Sequence, residues 1–380
     1  MLSRLQDFLS RHRRKFLVTG VLVGGTIFAA RYAQRRFVEF QEKQAREFFE
    51  RTRRLTHFES TEKTCNQVIL GMGEEMCQAV LRECSTDELL EQLRQNPKNK
   101  LELWEDMKIV AFTRLATYVY ASSMLVIALR VQLNLLGGYI YRDIMTEQKQ
   151  ITDELKQQYL SLIRHFITES GIRDLARYIR SQVIAVVKSM PLSQQLSLND
   201  LEQLFWSLQM AINADTRRDP NSRMSKYLLP SQNPSHSPLL QKMFNETLDL
   251  LESEDAIGVC SHNVSRGFVL ACDAIAESMG ETLQHLPQAE VQTQQENPKF
   301  NQAGSSSSSK SPAAENNNFN INRVLMALAN LIPIISGLTS RGFDSTARPH
   351  NLPTQLITFY VVAEKTKTLG ANVYESFSSA

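Results

Sequence analysis

The sequence predicts an all-α protein, a large elongated helical bundle in the cytosol behind a single N-terminal transmembrane helix. Three observations lead there. Gly and Pro are sparse, at 15 and 12 of 380 residues. Long stretches repeat their apolar residues at helical spacing, with few β-branched alternations. An uncharged apolar run near the N-terminus is fenced by basic residues on both sides. The 42% hydrophobic content supplies ample core.

The first element lies in RHRRKFLVTGVLVGGTIFAARYAQRR, Arg11 to Arg36. Arg11, Arg13, Arg14 and Lys15 precede the apolar run Phe16–Ala30, and Arg31, Arg35 and Arg36 follow it. The run is shorter than the ~20 residues a bilayer helix needs, but Lys15 and Arg31 can snorkel to the interfaces and lengthen it. No small-x-small cleavage site is followed by a polar mature start, so a permanent anchor fits better than a signal peptide. The layout is then a short basic head (1–15), an anchor (16–32) and a helical-bundle domain (33–380). Positive charge on both flanks gives no orientation by counting, whereas a long body with free thiols suits the cytosol. Gly20 and Gly24 make a GxxxG, a weak signal in an apolar run with several glycines.

In the body, a charged helix is expected over Phe37–Phe58, a second over Glu62–Cys84 and a shorter one over Thr86–Gln95, ended by Asn96-Pro97. Next comes the longest apolar region, Leu101–Tyr141. Its uncharged centre, Leu115–Leu129, is bounded by Arg114 and Arg130 and reads as a buried central helix rather than a second span. Gly137-Gly138 would end it or let a neighbour approach closely. Further helices are expected over Thr152–Ser189, Ser197–Asp215, Leu239–Leu251, Asp255–Gln284, Ile321–Ser340 and Pro353–Ser378. Ala214–Pro238 is rich in breakers and reads as an extended surface loop. Leu286–Asn320 is of low complexity and reads as a disordered excursion within one domain.

Several chemistries are disfavoured. Lys and Arg exceed Asp and Glu by only two, so no basic footprint calls for nucleic acid. Cys65, Cys77, Cys84, Cys260 and Cys272 form no CxxC pair and read as buried reduced thiols. The spacing Gly337 to Gly342 is followed by Phe343 and is no phosphate loop, and no HExxH or GxSxG occurs. Seven histidines are scattered singly, and the adjacent carboxylates Glu74-Glu75 and Glu105-Asp106 point to different sectors of a helix. The reading is a non-enzyme without cofactor or metal. Sequons at Asn245 and Asn263 sit in helical patterns.

PKNKLELWEDMKIV, Pro97 to Val110, holds one of two tryptophans. On a helix Leu101, Trp104 and Lys108 share a face, so Trp104 is either a core plug or the wall of a binding groove. The residue pattern alone leaves both open. Trp206, beside Phe205 in an ordinary amphipathic pattern, reads as core.

HFESTEKTCN (His57–Asn66), NKLELWEDMK (Asn99–Lys108), LRVQLNLLGGYIY (Leu129–Tyr141), SLNDLEQ (Ser197–Gln203), RGF (Arg266–Phe268), LANLIPIISG (Leu328–Gly337) and ANVYESFS (Ala371–Ser378) together resemble the peroxin-3 family of peroxisomal biogenesis factors. The resemblance runs in order over almost the whole chain and lapses at the two linkers. It implies a single-pass peroxisomal membrane protein that docks peroxin-19, the soluble carrier of new peroxisomal membrane proteins. An amphipathic carrier helix would lie in a hydrophobic groove walled by Trp104, with Leu93, Pro97, Lys100 and Leu101 beside it. Asn330 stands where the family often has a lysine. Arg11, Arg13, Arg14 and Lys15 would carry membrane targeting, in contact with peroxisomal membrane lipids, and the C-terminal SFSSA is not a matrix-import tripeptide. The alternative is an organelle tether or inheritance or autophagy adaptor on the same membrane, holding additional partners. A membrane-bound lipid enzyme has less behind it.

Overall fold

Helix α3, Lys100–Thr146, runs for 47 residues without a proline. Every residue from Met107 to Tyr139 is buried. A helix apolar on all faces is stable only if other helices surround it, and α3 is surrounded. Among the described residues it is the one helix long and apolar enough to cross a membrane, and that whole stretch lies inside protein. The computed structural model describes residues 2–95, 97–231, 237–284, 324–340 and 351–379, without the side chains of 2–30 and 282–284. The anchor's side chains, the basic cluster Arg11, Arg13, Arg14 and Lys15, and the excursion at 286–320 therefore lie outside the described residues.

The other helices are α1 (Leu2–Glu83), α2 (Asp87–Arg94), α4 (Asp153–Ser161), α5 (Gly171–Val187), α6 (Leu198–Asn213) and α7 (Met224–Leu228). After them come α8 (Pro238–Leu251), α9 (Glu254–Gln284), α10 (Leu328–Ser340), α11 (Leu352–Val362) and α12 (Glu364–Ser378). Most of these pack on α3, with α12 and α5 doing so over long stretches, and α1 meets it through Glu62, Cys65, Asn66 and Cys77. Two two-residue strands, β1 (Gln195–Leu196) and β2 (Met326–Ala327), pair antiparallel with Gln195 opposite Ala327.

The chain divides into two compact units, 1–60 and 61–380. In the first, the described part of α1 exposes Phe37, Phe40, Phe48 and Phe49. In the second, α1 buries Cys65, Ile69, Met76, Cys77 and Val80 as one face. The helices expected on either side of Glu59 to Thr61 are one continuous helix, because no Gly or Pro stands at that junction.

Other boundaries also differ from the sequence reading. The stretch 152–189 is divided by a π-helical turn, His165–Glu169, before Gly171. A Cβ on Gly171 would fall 2.3 Å from the Tyr227 carbonyl oxygen, so only glycine lets that backbone pass. The expected helix 353–378 is two helices, with Ala363 extended at φ −58°, ψ 130° between them. The expected surface loop at 214–238 instead buries Met224, Tyr227, Leu228 and Leu229 around α7. Gly137 and Gly138 do not end α3. A Cβ on either would come 2.7 Å from Thr61 or Phe377, so they are points of close helix approach. The five cysteines are buried and form no disulfide.

Three cations on α3 are buried among these helices. Lys108 Nζ donates to the Met190 carbonyl at 2.6 Å and pairs with Glu105 at 2.6 Å. Arg114 donates through Nε to Thr339 Oγ1 (2.9 Å) and through Nη2 to the Ser336 carbonyl (3.1 Å). Arg130 pairs with Glu62 at 3.5 Å and donates to Asn66 Oδ1 (2.5 Å) and the Val361 carbonyl (2.9 Å). The residues that bounded the apolar run in the sequence are thus internal clamps.

Arg130→Ala should lower unfolding free energy by about 3 kcal/mol in urea titration of the full chain, since Glu62 and two acceptors lose their shared donor. A loss below about 1 kcal/mol would mean the clamp is dispensable. Stability should also fall at alkaline pH. Burial pushes the Cys65 and Cys84 thiols up to about 11 and those of Cys260 and Cys272 to about 12, from an ordinary 9.0. Above pH 9 the unfolded chain releases thiol protons that the folded chain keeps, so the melting temperature should hold below pH 9 and drop from pH 9 toward 11.

Candidate functional site

Helix α2 has the sequence DELLEQLR, with leucines at 89, 90 and 93. It begins acidic and ends on Arg94, matching its dipole. Yet none of its residues is fully buried. Leu89 and Leu93 are half-covered against the core, and Leu90 is 43% exposed. The chain then turns at Pro97, half-buried, and starts α3 at Lys100.

Across the turn, Leu101 is 69% exposed, while Trp104 is half-buried and packs against the core. One face of α3 thus descends from exposed Leu101 through Trp104 to fully buried Lys108. Leu93, Pro97, Lys100, Leu101 and Trp104 all fall on this α2–α3 corner, whose apolar surface is only partly covered. Lys108 shares the face by spacing but is a structural cation beneath it.

The corner has a second rim. The Met190 carbonyl takes the Lys108 ammonium, and two residues on the Leu192 carbonyl accepts from Ala329 N at 2.9 Å. The β1–β2 pair and this bond tie the start of α10 to the segment that holds Lys108, and Leu325 and Asn330 beside that junction are exposed. Neither Leu90 nor Leu325 figured in the sequence reading. Leu90 was legible as a leucine beside the Leu93 stripe. Leu325 was not, because its position depends on a pairing of four residues distant in sequence.

Electrostatics favour an anion at the turn. Lys100 is the first residue of α3, and the Asn99 side chain makes no capping bond. A cation at a helix N-terminus opposes the dipole by about 0.3–1 kcal/mol. Glu102 in the same turn offsets part of this.

Trp206 is not core. It is 63% exposed on α6, with Met210 exposed one turn on. Leu201, Leu204, Phe205, Leu208 and Ile212 form the buried stripe, and Trp206 lies about 140° from Leu201 around the helix. The signal was in the spacing, and adjacency to Phe205 misled.

Among the described residues no group of three His, Cys, Asp or Glu side chains could hold a metal. One serine–histidine–carboxylate order occurs: His165 Nδ1 is 2.8 Å from Glu169 Oε2, and Nε2 is 3.5 Å from Ser170 Oγ. The Glu169 side chain is 62% exposed and the hydroxyl contact is at the limit of bonding, so water competes with both. This set closes the π-helical turn. The sequon at Asn263 is closed by burial, its amide donating to Thr366, and Thr247 of the other is buried.

Comparison with known proteins adds to this geometry. A family model described as Peroxin-3 matches residues 7–99, 94–145 and 141–340. Peroxisomal biogenesis factor 3 of Mus musculus is 33% identical over 399 residues, covering 100% of this chain and 98% of that protein. Its counterpart in Homo sapiens is 33% identical over 406 residues. That of Yarrowia lipolytica is 21% identical over 365 residues, covering 73% of this chain and 84% of the relative.

The two lysines of the corner should separate experimentally. Lys108→Ala should cost about 2–4 kcal/mol of stability by denaturant titration, because it strands Glu105 and the Met190 carbonyl. Lys100→Ala should leave stability within about 0.5 kcal/mol. Equal effects would contradict the burial gradient along α3.

Proposed function

This chain belongs to the peroxin-3 family and acts in peroxisome biogenesis, and on that premise we propose that it is a docking receptor in the peroxisomal membrane. Its partner is the carrier peroxin-19, and its ligand is an amphipathic helix of that carrier seated at the α2–α3 corner. The N-terminal apolar run anchors the chain, and the bulk of it faces the cytosol.

The observation that carries this reading is the uncovered apolar face of the corner. Helix α2 sets out leucines at helical spacing and fully buries none of them, and Trp104 is only half-covered. A helix-in-groove complex needs such a surface, with a large aromatic as its energetic centre. Leu93, Pro97 and Leu101 supply the flanking apolar contacts. Lys100 and the adjoining helix end favour an acidic ligand residue, which sets orientation and on-rate more than affinity.

In binding of the full chain to a labelled N-terminal carrier peptide, Trp104→Ala should weaken affinity about thirtyfold, roughly 2 kcal/mol. Its melting temperature should change little, because the indole is only half-buried. Unchanged binding with a sharply lower melting temperature would make Trp104 a core plug and move the docking site elsewhere.

A further inference from the structure

Between the end of α1, α3 and α5 lies a pocket of about 190 Å³ whose lining shares no residue with the corner. Its floor is apolar and neutral: Cys84, Val110 and Ala176 form a small cluster on which Leu89 packs. Its wall is the guanidinium row Arg173, Arg177 and Arg180 of α5, at i, i+4 and i+7. The one carboxylate lining it is Glu83, whose Oε1 accepts from Arg173 Nε at 3.3 Å. Arg177 pairs with Asp174 at 3.2 Å. Arg180 has no ion pair among the described residues, so the lining carries three cations against one anion.

A second source of positive potential stands behind the floor. Arg114 is buried and donates to Thr339, Thr86 and the Ser336 carbonyl, all neutral acceptors. No carboxylate forms an ion pair with it among the described residues, and Asp87, which acts on it only through space, offsets part of its charge. The Cys84 thiol does not neutralise it either, because burial pushes that thiol up to about 11.

From this pocket we infer a second binding site, one that takes the anionic oxygens of a protein partner: a phosphoserine or a cluster of carboxylate side chains on an acidic segment. Phosphate and carboxylate share the chemistry, since both accept the forked bonds of arginine. Rows of arginine around a concavity are the common device for such motifs. The neighbourhood favours a peptide over an anionic membrane. Asp87, Glu88, Glu91 and Asp174 are all exposed close by in the chain, and a flat anionic bilayer would meet them as well as the arginines. A peptide that enters only the pocket avoids them. Glu83 already shows a carboxylate held there, and it competes with any incoming anion for Arg173.

The test uses the full chain in detergent and two labelled peptides, one bearing phosphoserines and one bearing only glutamates. A serine–glutamine peptide serves as control. At least one acidic peptide should bind, and the tighter of the two identifies the source of the anion. Arg177→Ala/Arg180→Ala should weaken that binding at least tenfold, and the double lysine variant should restore part of it. Glu83→Gln should tighten it about threefold by removing the internal competitor, a gain that a merely structural role would not produce. Trp104→Ala should leave it unchanged, which separates this site from the corner. Absence of binding by both acidic peptides would overturn the inference, as would binding indifferent to the arginine pair. Arginine-dependent binding to phosphatidylserine vesicles, with none to the peptides, would overturn it in favour of a membrane.

Discussion

The architecture depends on one constraint: a long helix whose every face is buried carries three cations that must still find acceptors. Removing a charge from water without partners costs several kcal/mol, so each cation dictates a neighbour. Lys108 draws in the segment at Met190. Arg114 fixes the end of α10. Arg130 joins α11 to the buried stretch of α1. Apolar burial supplies most of the driving force, but it is non-directional. The cations give the packing its register, and the paired glycines of α3 set how closely Thr61 and Phe377 approach.

The same clamps shape the corner proposed for docking. Because Lys108 is held below, the face of α3 above it is committed to emerging at Trp104 and Leu101. The segment from Met190 to Leu192, fixed by that ammonium and by the bond from Ala329, supports the opposite rim. Trp104 is half-covered on this base and packs against the core, and on the docking reading such support lowers the ordering cost of association. The arginine pocket uses the interior in a similar way, with a buried cation reinforcing a charged wall.

Much of this was legible in the sequence, for identifiable reasons. Helical periodicity and scarce breakers gave the all-α class, and charges at Arg114 and Arg130 framed the central helix. Their role as clamps was not legible, because it depends on acceptors on remote helices. The corner residues Leu93, Pro97, Lys100, Leu101 and Trp104 are local to one turn, and the family resemblance marked them out from a pattern that fitted a plug equally well. A helix boundary failed where tertiary contact overrode propensity at Gly171 beneath the Tyr227 carbonyl, and another failed at the extended Ala363. Trp206 was misjudged although its angle from the buried stripe was readable.

The order of the elements along the chain also governs biosynthesis. Helix α3 leaves the ribosome early, but α10, α11 and α12, which cover much of it, are made last. Until then a helix apolar enough to enter a bilayer stands without part of its sheath. The bundle cannot close co-translationally, and the waiting helix must be shielded from aggregation and from insertion into the wrong membrane. Quality control of this protein is therefore a question of timing, decided when its final helix arrives.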